Sequence, residues 1–339
     1  MSGPPVRPGV VAFRGLWRQI LRRRLSRLAA GVLVALALTA LLADCIASDL
    51  PVMLRYQGQT YLLPNLRRPA ALRALDNQQL RRELAHDEGW AWMPLCEFGP
   101  EQQPAILDPP PAPPGHGHWL GTDDRGRDLF ARLVHGSRVS LMVGLVSVSL
   151  YVLIGLCLGL VGGYFGGRVD WVVSRLIEIG LTFPTFFLIL IIMALLERTS
   201  ILTIMVVLGL TRWTDVARLA RAEVLRLREM DFVLAARACG AGPLWIMWRH
   251  LIPNAMGPVV VNATFGVAGA ILVEAALTFL GFGTPPPTAS WGEVLSQAYE
   301  HPGQWWITVC PGLLLFVTIT SLNLLGEALR DGIDPRMRE

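Results

Sequence analysis

The chain has 339 residues and a formal charge of +4, with 53% hydrophobic residues, 17% charged residues and a mean hydropathy of +0.45. This composition is typical of a membrane protein rather than of a soluble globular domain. The chain contains no lysine, so a phosphate-binding loop of the Gly-Lys-Ser/Thr type and Schiff-base catalysis are both excluded.

Six apolar segments are predicted to cross the hydrocarbon core of a bilayer, which takes about 20 residues. They are residues 28–43, 139–163, 171–196, 201–220, 256–280 and 305–325. An arginine-rich start before the first segment is also typical of a signal peptide, but Asp44 stands where a cleavage site needs a small residue. We therefore assign 28–47 to a retained transmembrane helix. Arg212 and Asp215 interrupt the fourth segment, which we expect to leave the membrane there.

The arginines indicate which side of the membrane each loop faces. Outside the long segment 48–138 they are concentrated in the N-terminal tail 1–27, in the loop between the fourth and fifth segments, and in the C-terminal tail 330–339, and none occurs in 254–329. The segment 48–138 also holds many arginines, but long loops do not follow the charge rule. Short loops rich in arginine face the cytoplasm. Both termini are therefore predicted to be cytoplasmic, in a multi-pass protein of the inner membrane of a bacterial cell.

Residues 48–138 are predicted to lie outside, as an insert after the first helix. A proline-rich stretch at 98–119 disfavours regular structure, whereas 65–90 has the spacing of one or two short amphipathic helices. Thr122 or Asp123 is expected to cap an interfacial helix that leads into the second span.

Two other features in or beside this insert are interpreted as having no disulfide-forming or metal-binding function. Cys45 and Cys96 could form a disulfide outside the membrane, but two free thiols are the favoured alternative. His116 and His118 are interpreted as loop histidines rather than metal ligands, because no set of carboxylates or cysteines accompanies them.

The stretch 231–255 is a small polar helical element between two apolar segments. We expect a short helix at 232–238, a helix end at Gly240, and a second helix with Pro243 in its first turn. An apolar stripe at helical spacing follows, made of Leu244, Met247, Trp248 and Leu251. Pro253 is expected to close the second helix before the fifth span begins.

This stretch resembles the cytoplasmic EAA loop of ABC importer membrane subunits, at Ala235, Ala236, Gly240 and Pro253. Four further stretches are similar, in the right order, to the dipeptide/oligopeptide/nickel permease family of the second-permease type. They are "HWLGTDDRGRDLFARLVHGSRVSL", "GGYFGGRVD", "EAALTFLGFGTPPPTASWGEVL" and "NLLGEALRDGIDPR". The insert, with "LRYQGQTYLLPNL", resembles that of the Yej-type oligopeptide and microcin subgroup.

The resemblance implies an all-α polytopic membrane protein with six transmembrane helices and the type I ABC importer permease fold. The permease core would be 139–329, with a cytoplasmic coupling loop at about 221–255. The chain would form the translocation pathway for peptides with a second permease subunit, as a heterodimer within membrane lipid. Two ATPase subunits would bind ATP and Mg, and an external solute-binding protein would deliver the solute. The chain itself would hold no cofactor or metal, catalyse no reaction and bind no nucleic acid.

The resemblance also implies the residues that contact the ATPase. They are Ala235, Ala236, Arg237, Gly240 and Pro253. Leu234 stands at the glutamate position of the EAA motif, so any charge contact must come from elsewhere. Arg237 and Arg249 are the candidates, and the alternative is that both arginines serve only membrane topology.

Glu274 and Glu178 are candidates for the translocation pathway or a gate, because ionisable residues in apolar segments tend to face protein or water. Structural pairing is the alternative for Glu274, and an ion pair with Arg175 is the alternative for Glu178. Four glycines of the second span are expected to allow close helix packing: Gly155, Gly159, Gly162 and Gly163.

Three other functions compete with that of a peptide permease. A nickel or other small-solute permease of the same family is the nearest, and the spans' lack of a His/Cys cluster favours peptide. An ion-coupled secondary transporter would also have broken helices, but it would typically show two inverted halves, and the sequence has no such repeat. A membrane enzyme would need a convergent catalytic set, which the sequence does not contain.

Overall fold

The computed structural model describes residues 23–69, 72, 77–86, 89–103, 110–115, 117–196 and 200–333. Residues 1–22 of the arginine-rich tail, residues 334–339 at the C-terminus, His116 and part of the proline-rich stretch lie outside the described residues.

Helices dominate the part of the chain that the structure describes. In chain order they are α1 (Arg24–Leu41), α2 (Ala43–Ile46), α3 (Pro64–Arg67), α4 (Asn77–His86), α5 (Leu129–Phe165), α6 (Gly167–Thr182), α7 (Thr185–Leu195), α8 (Ile201–Thr211), α9 (Trp213–Leu227), α10 (Asp231–Ala238), α11 (Pro243–Ile246), α12 (Ile252–Phe279), α13 (Trp291–Ser296) and α14 (Trp305–Ile333). Three strands complete the secondary structure: β1 (Met53–Tyr56), β2 (Gln59–Leu62) and β3 (Trp90–Trp92).

Among the described residues, four helical runs are long and apolar enough to cross a membrane: α1, α5, α14, and the run Pro243–Phe279, in which a π-helical turn (Met247–Leu251) joins α11 to α12. The pair α6 and α7 qualifies as a fifth span, bent by 80°. The chain is thus a multi-pass membrane protein. The predicted count of six spans is not confirmed, because the fourth segment breaks at Arg212 into α8 and α9, and α8 is only about 16 Å long.

The bend between α6 and α7 has a local cause at Pro184. The ring of a proline disfavours helical backbone at the residue before it, and Phe183 is extended, with φ −93° and ψ 131°. The chain therefore leaves one helix at Phe183 and begins the next at Thr185.

Residue contacts divide the chain into two compact units. Unit 1 contains residues 1–33, 143–273 and 318–339, and unit 2 contains residues 34–142 and 274–317. Each unit is described separately below.

In unit 1, glycines of α5 bring that helix close to α9 and α6. A Cβ at Gly155 would stand 2.6 Å from the carbonyl oxygen of Trp213, and one at Gly159 would stand 2.7 Å from the carbonyl oxygen of Ala217. Gly163 faces α9 in the same way, and Gly162 faces α6. The prediction that these glycines permit close packing is confirmed, since any larger residue would separate the helices.

Several arginines in unit 1 have specific partners. Arg221 of α9 forms a two-pronged ion pair with Asp170 of α6, and Arg228 donates to the carbonyl oxygen of Gly163 at 3.0 Å. Arg23, just before α1, pairs with Asp331 near the end of α14 at 2.7 Å. These arginines therefore hold helix ends together, in addition to any part they play in membrane topology.

Unit 2 contains a three-stranded antiparallel sheet with the order β2-β1-β3. The β1–β2 hairpin turns at Gln57 and Gly58, whose φ angles of 49° and 73° suit the twisted turns of tight hairpins. Leu54 and Tyr56 of β1 are buried, whereas Arg55 between them is exposed. The all-α prediction is therefore wrong in this segment.

The sheet of unit 2 has its own small apolar core. Five buried residues form it, from the sheet, the chain before it, the segment between α3 and α4, and α4 itself: Leu50, Leu54, Tyr56, Leu72 and Leu80. The predicted short helices are present as α3 and α4. The insert is thus a small folded α/β element, because the alternating strand β1 and the helix α4 bury their apolar faces together.

The start of α5 differs from the prediction. Asp128, not Thr122 or Asp123, caps the helix, because its Oδ1 accepts a hydrogen bond from the backbone N–H of Ala131 at 2.7 Å. The predicted interfacial helix and the second span are one continuous helix of about 55 Å.

Two buried side chains form hydrogen bonds with the Asp128 carboxylate. Its Oδ2 is paired with Nδ1 of His118 at 2.7 Å, which gives this loop histidine a structural partner. Cys96 donates from its thiol to Oδ1 at 3.5 Å. Burial, and then the charge of Asp128, raise the pKa of the Cys96 thiol to about 12. Cys45 and Cys96 are both free thiols, as the favoured alternative stated.

Candidate functional site

The loop between α9 and α12 folds as two short helices joined at a glycine. Helix α10 ends in a Schellman motif, in which Ala241 N–H donates to the carbonyl oxygen of Ala236 and Gly240 N–H donates to that of Arg237. Gly240 takes the left-handed conformation that this motif requires, with φ 81°. Pro243 then occupies the first turn of α11. The predicted order of these local elements is confirmed.

One face of this loop packs onto the rest of unit 1. Its buried side chains join an apolar cluster with the end of α5, with α9 and with the start of α12. The cluster contains Leu160, Val224, Leu227, Val233, Ile246, Met247, Leu251 and Ala255. Because side chains of both short helices enter one cluster, the loop is fixed to three helices rather than suspended between two.

The opposite face of the loop is exposed and largely apolar. Leu244 is 78% exposed and Trp248 is 75% exposed, and Leu234 and Trp245 are also exposed. The predicted stripe is therefore divided, since Met247 and Leu251 point into the cluster whereas Leu244 and Trp248 point out. The π-helical turn at Met247–Leu251 widens the helix and offsets these side chains from a regular helical register.

The two alanines of the motif differ in their surroundings. Ala235 is exposed, whereas Ala236 is half-buried and packs against the inner cluster. The guanidinium of Arg237 lies 5.0 Å from the ring centre of Tyr164, a cation–π contact within unit 1. Arg249 is exposed. Of these residues, Ala235, Arg237 and Arg249 are exposed and therefore accessible to another protein.

Pro253 does not close the second helix, contrary to the prediction. The helix continues through the π-helical turn, where Ile252 N–H donates to the carbonyl oxygen of Met247, and Pro253 lies in the first turn of α12. Because the helix is continuous here, Pro253 removes one backbone hydrogen bond and its ring crowds the carbonyl group of the preceding turn, which the wider π-helical turn can accommodate. The side chain of Asn254 donates to the carbonyl oxygen of His250 at 2.6 Å, which satisfies an acceptor beside the irregular turn.

Glu274 lies in unit 2, near the end of α12, and is fully buried. Its Oε1 accepts a hydrogen bond from the Thr278 hydroxyl at 3.1 Å, and its Oε2 has no hydrogen-bond partner among the described residues. This enclosed position favours the structural alternative over direct exposure to a pathway.

Glu178 lies on α6 with an exposed side chain, in an ion pair with Arg175 at 2.7 Å. The two residues are three positions apart, as the simpler interpretation of the sequence proposed. Glu178 and Glu274 lie in different units, and each has a local partner of its own.

A buried charge network in unit 2 was missed by sequence reasoning. Arg132, which is fully buried, pairs with Glu293 of α13 and with Asp123 at 3.1 Å. Arg127 pairs with the same two acids, at 2.6 Å from Asp123 and 3.3 Å from Glu293. From the sequence alone, both arginines would be assigned to the polar side of an interfacial helix. One local pattern was readable in the sequence. Ser290 and Glu293 have the three-residue spacing of a capping box, which indicates the start of α13.

Residues 155–339 match a family described as the binding-protein-dependent transport system inner membrane component. The chain belongs to this family. The match begins at Gly155, in the middle of α5, and includes the whole loop between α9 and α12.

Curated relatives agree with this assignment. The permease is 38% identical over 226 residues to the dipeptide transport system permease protein DppC of Alkalihalophilus pseudofirmus, covering 66% of this chain and 74% of that protein. It is 36% identical over 228 residues to the oligopeptide transport system permease protein OppC of Bacillus subtilis, covering 67% and 74%. A putative peptide transport system permease protein of Brucella suis is 40% identical over 227 residues, covering 67% and 76%.

These comparisons confirm the family predicted from the motifs. The relatives are permease proteins of ABC transport systems, so the chain is a transport subunit and not the catalytic one. The buried network of Asp123, Arg127, Arg132 and Glu293 is therefore interpreted as a structural element of a permease rather than as an active site.

Proposed function

We propose that this permease is a subunit of an ATP-driven importer of dipeptides, oligopeptides or peptide-like compounds. The observation that carries the proposal is its similarity, at 36–40% identity over about two thirds of the chain, to permeases named for dipeptide, oligopeptide and peptide transport. In this proposal the chain has the type I importer permease fold and lines the pathway together with a second permease subunit, as a heterodimer.

The proposed partners follow from what the chain lacks and what it exposes. It has no lysine for a phosphate-binding loop, so ATP and Mg are bound by two ATPase subunits. The surface of Leu234, Ala235, Leu244 and Trp248 is the proposed contact with an ATPase, because a solvent-exposed apolar patch of this kind is typical of a protein–protein interface. A solute-binding protein delivers the peptide from outside.

In the proposed orientation, both termini and the loop 221–255 face the cytoplasm of a bacterial cell, and residues 48–138 face outward across the inner membrane. The arginine distribution supports this orientation. The ion pair of Arg23 with Asp331 also supports it, because it joins the start of α1 to the end of α14, as expected if both ends of the helical core lie on one side.

The orientation predicts opposite accessibility for two thiols. Cys239 is native and exposed in the proposed cytoplasmic loop, so a variant that keeps only this cysteine should react with an impermeant maleimide in inverted vesicles but not in intact spheroplasts. A variant whose only cysteine is Gln102→Cys should react in spheroplasts. Labelling of Cys239 in intact spheroplasts would reverse the orientation.

Reconstitution tests the proposed function. The permease, the second permease and the ATPase subunits in vesicles should accumulate a labelled tripeptide when ATP and the loaded binding protein are supplied on their proper sides. The purified chain alone should hydrolyse no ATP. Turnover by the chain alone, or a complete complex that imports no peptide, would contradict the proposal.

A further inference from the structure

Arg212 is a charged residue inside an apolar segment of unit 1. It ends α8 and begins α9, with φ −103° and ψ 5°, and its side chain is half-buried. An ionisable group at such a place is costly and tends to face protein or a water-filled path. The guanidinium therefore needs a partner that compensates for its position.

The guanidinium of Arg212 and the hydroxyl of Tyr151 lie over the same face of α12. A Cβ at Gly269 would stand 2.9 Å from Nη1 of Arg212, and a Cβ at Gly266 would stand 1.6 Å from the hydroxyl oxygen of Tyr151. Residues three apart on a helix are neighbours on one face. Because these two positions of α12 are glycines, there is space beside the helix for both the Tyr151 hydroxyl of α5 and the Arg212 guanidinium at the α8–α9 break.

These two polar groups have no hydrogen-bonding partner within the part of the chain that the structure describes. There the guanidinium of Arg212 makes no hydrogen bond or ion pair, and the hydroxyl of Tyr151 makes no hydrogen bond although the residue is only 3% exposed. Asp215, the acid in the first turn of α9, is within electrostatic reach of Tyr151, but its carboxylate lies 3.6 Å from Arg218. Neither group is fully enclosed, so its donors remain accessible to a ligand that supplies an acceptor.

The start of α9 adds backbone N–H donors at this place, beside the acid Asp215 of its first turn. The helix has 15 residues, and no side chain caps its first turn. The N–H groups and the dipole at a helix start favour an anion. Interrupted helices inside membranes direct such starts at the anionic groups of substrates.

We propose that Arg212, Tyr151 and the start of α9 bind the C-terminal carboxylate of the peptide in the translocation pathway. The guanidinium can donate two parallel hydrogen bonds to the two carboxylate oxygens, and the phenol can donate a third. Every peptide carries one such carboxylate whatever its side chains, so a fixed donor set suits a transporter of varied sequences. This inference rests on the proposed peptide function.

The test compares a tripeptide with its C-terminal amide, using the complete reconstituted complex. Uptake rates are divided by the binding protein's measured occupancy for each peptide. The wild type should transport the free acid roughly 10- to 100-fold more efficiently than the amide, as expected for one or two charge-assisted hydrogen bonds. Arg212→Gln should lower uptake of the free acid to the level of the amide, and Arg212→Lys should retain part of the preference.

Arg218→Gln is the matched control, since Arg218 lies on the same helix with a mostly exposed side chain. It should leave the preference unchanged. Equal wild-type uptake of acid and amide would overturn the inference while leaving peptide import intact, whereas uptake of neither would contradict the proposed function itself. An Arg212→Gln complex that loses both peptides alike, or fails to assemble, would indicate a contact with the second permease and would also overturn the inference.

Discussion

Replacing Gly240 by valine is expected to uncouple ATP hydrolysis from peptide uptake while membrane insertion stays normal. Gly240 has a φ of 81°, and a left-handed backbone costs an L-residue roughly 1–2 kcal/mol, more for a β-branched one. That cost reduces the population of the native turn by a factor of roughly 5 to 30. The Schellman motif then opens, and α10 loses its fixed direction relative to α11. Substrate-stimulated ATP hydrolysis and uptake, measured together in vesicles, should show the loss.

Gly242→Val is the control for this prediction. Gly242 lies two residues further on, has open space within 4 Å of the place where a Cβ would stand, and has an ordinary φ of −69° that valine adopts without strain. It should couple normally, and Gly240→Asn should recover most activity because asparagine tolerates the left-handed region. Normal coupling in Gly240→Val would show that this turn does not transmit motion.

Replacing each of the two alanines by tryptophan should distinguish a loss of ATPase binding from a loss of the loop's own packing. Ala235 is exposed, so Ala235→Trp should weaken pull-down of the ATPase subunits without disturbing the loop. Ala236 packs on the inner cluster, so Ala236→Trp should overpack it at a cost of roughly 1–3 kcal/mol. From the sequence motif, both alanines are expected on the surface that contacts the ATPase. In the structure, only Ala235 is exposed, and Ala236 packs inward.

Removal of one charge from the buried network should destabilise unit 2 by about 3–5 kcal/mol, because Arg132→Ala leaves Glu293 buried with less compensation. The same loss is expected for Glu293→Ala. Thermal unfolding of the purified permease in one detergent measures the effect. Arg125→Ala, an exposed arginine of the same loop, should change stability by no more than about 1 kcal/mol.

A paired replacement distinguishes this charge effect from lost packing. Replacing Arg132 and Glu293 together by methionine leaves Asp123 and Arg127 as a balanced pair at 2.6 Å. This double variant should be more stable than either single methionine variant, because no buried charge is left alone. Additive losses in the double variant would mean that shape, and not charge balance, determines the stability of this network.

Local sequence signals predicted the parts of the fold that depend on them. The apolar lengths identified α1, α5 and α14, and glycine and proline positions identified the turn at Gly240 and the helix start at Pro243. The hairpin at Gln57 and Gly58 could have been found, since alternating residues flank a turn with glycine. It was missed because a strand of four residues carries a weak pattern.

Features that depend on distant residues could not be predicted from one sequence. The exposed or buried state of Leu244 and Met247 depends on a π-helical turn, which has no reliable sequence signal. Nothing near Arg132 in the chain indicates that its partner is Glu293, and nothing near Glu274 indicates that it is fully buried. In each case the interaction is decided by which helices pack together, and that is a property of the tertiary fold.

The buried charge network cannot form until most of the chain has been synthesised. Arg132 and Glu293 are 161 residues apart, and a ribosome adds roughly 5–20 residues each second. Arg127 and Arg132 therefore emerge about 8–30 s before Glu293 exists to pair with them. During that interval the nascent permease has more positive than negative charge at this site and cannot close it. A chain that stops before Glu293 keeps these arginines open to water, a state that proteases and chaperones can recognise as unfinished.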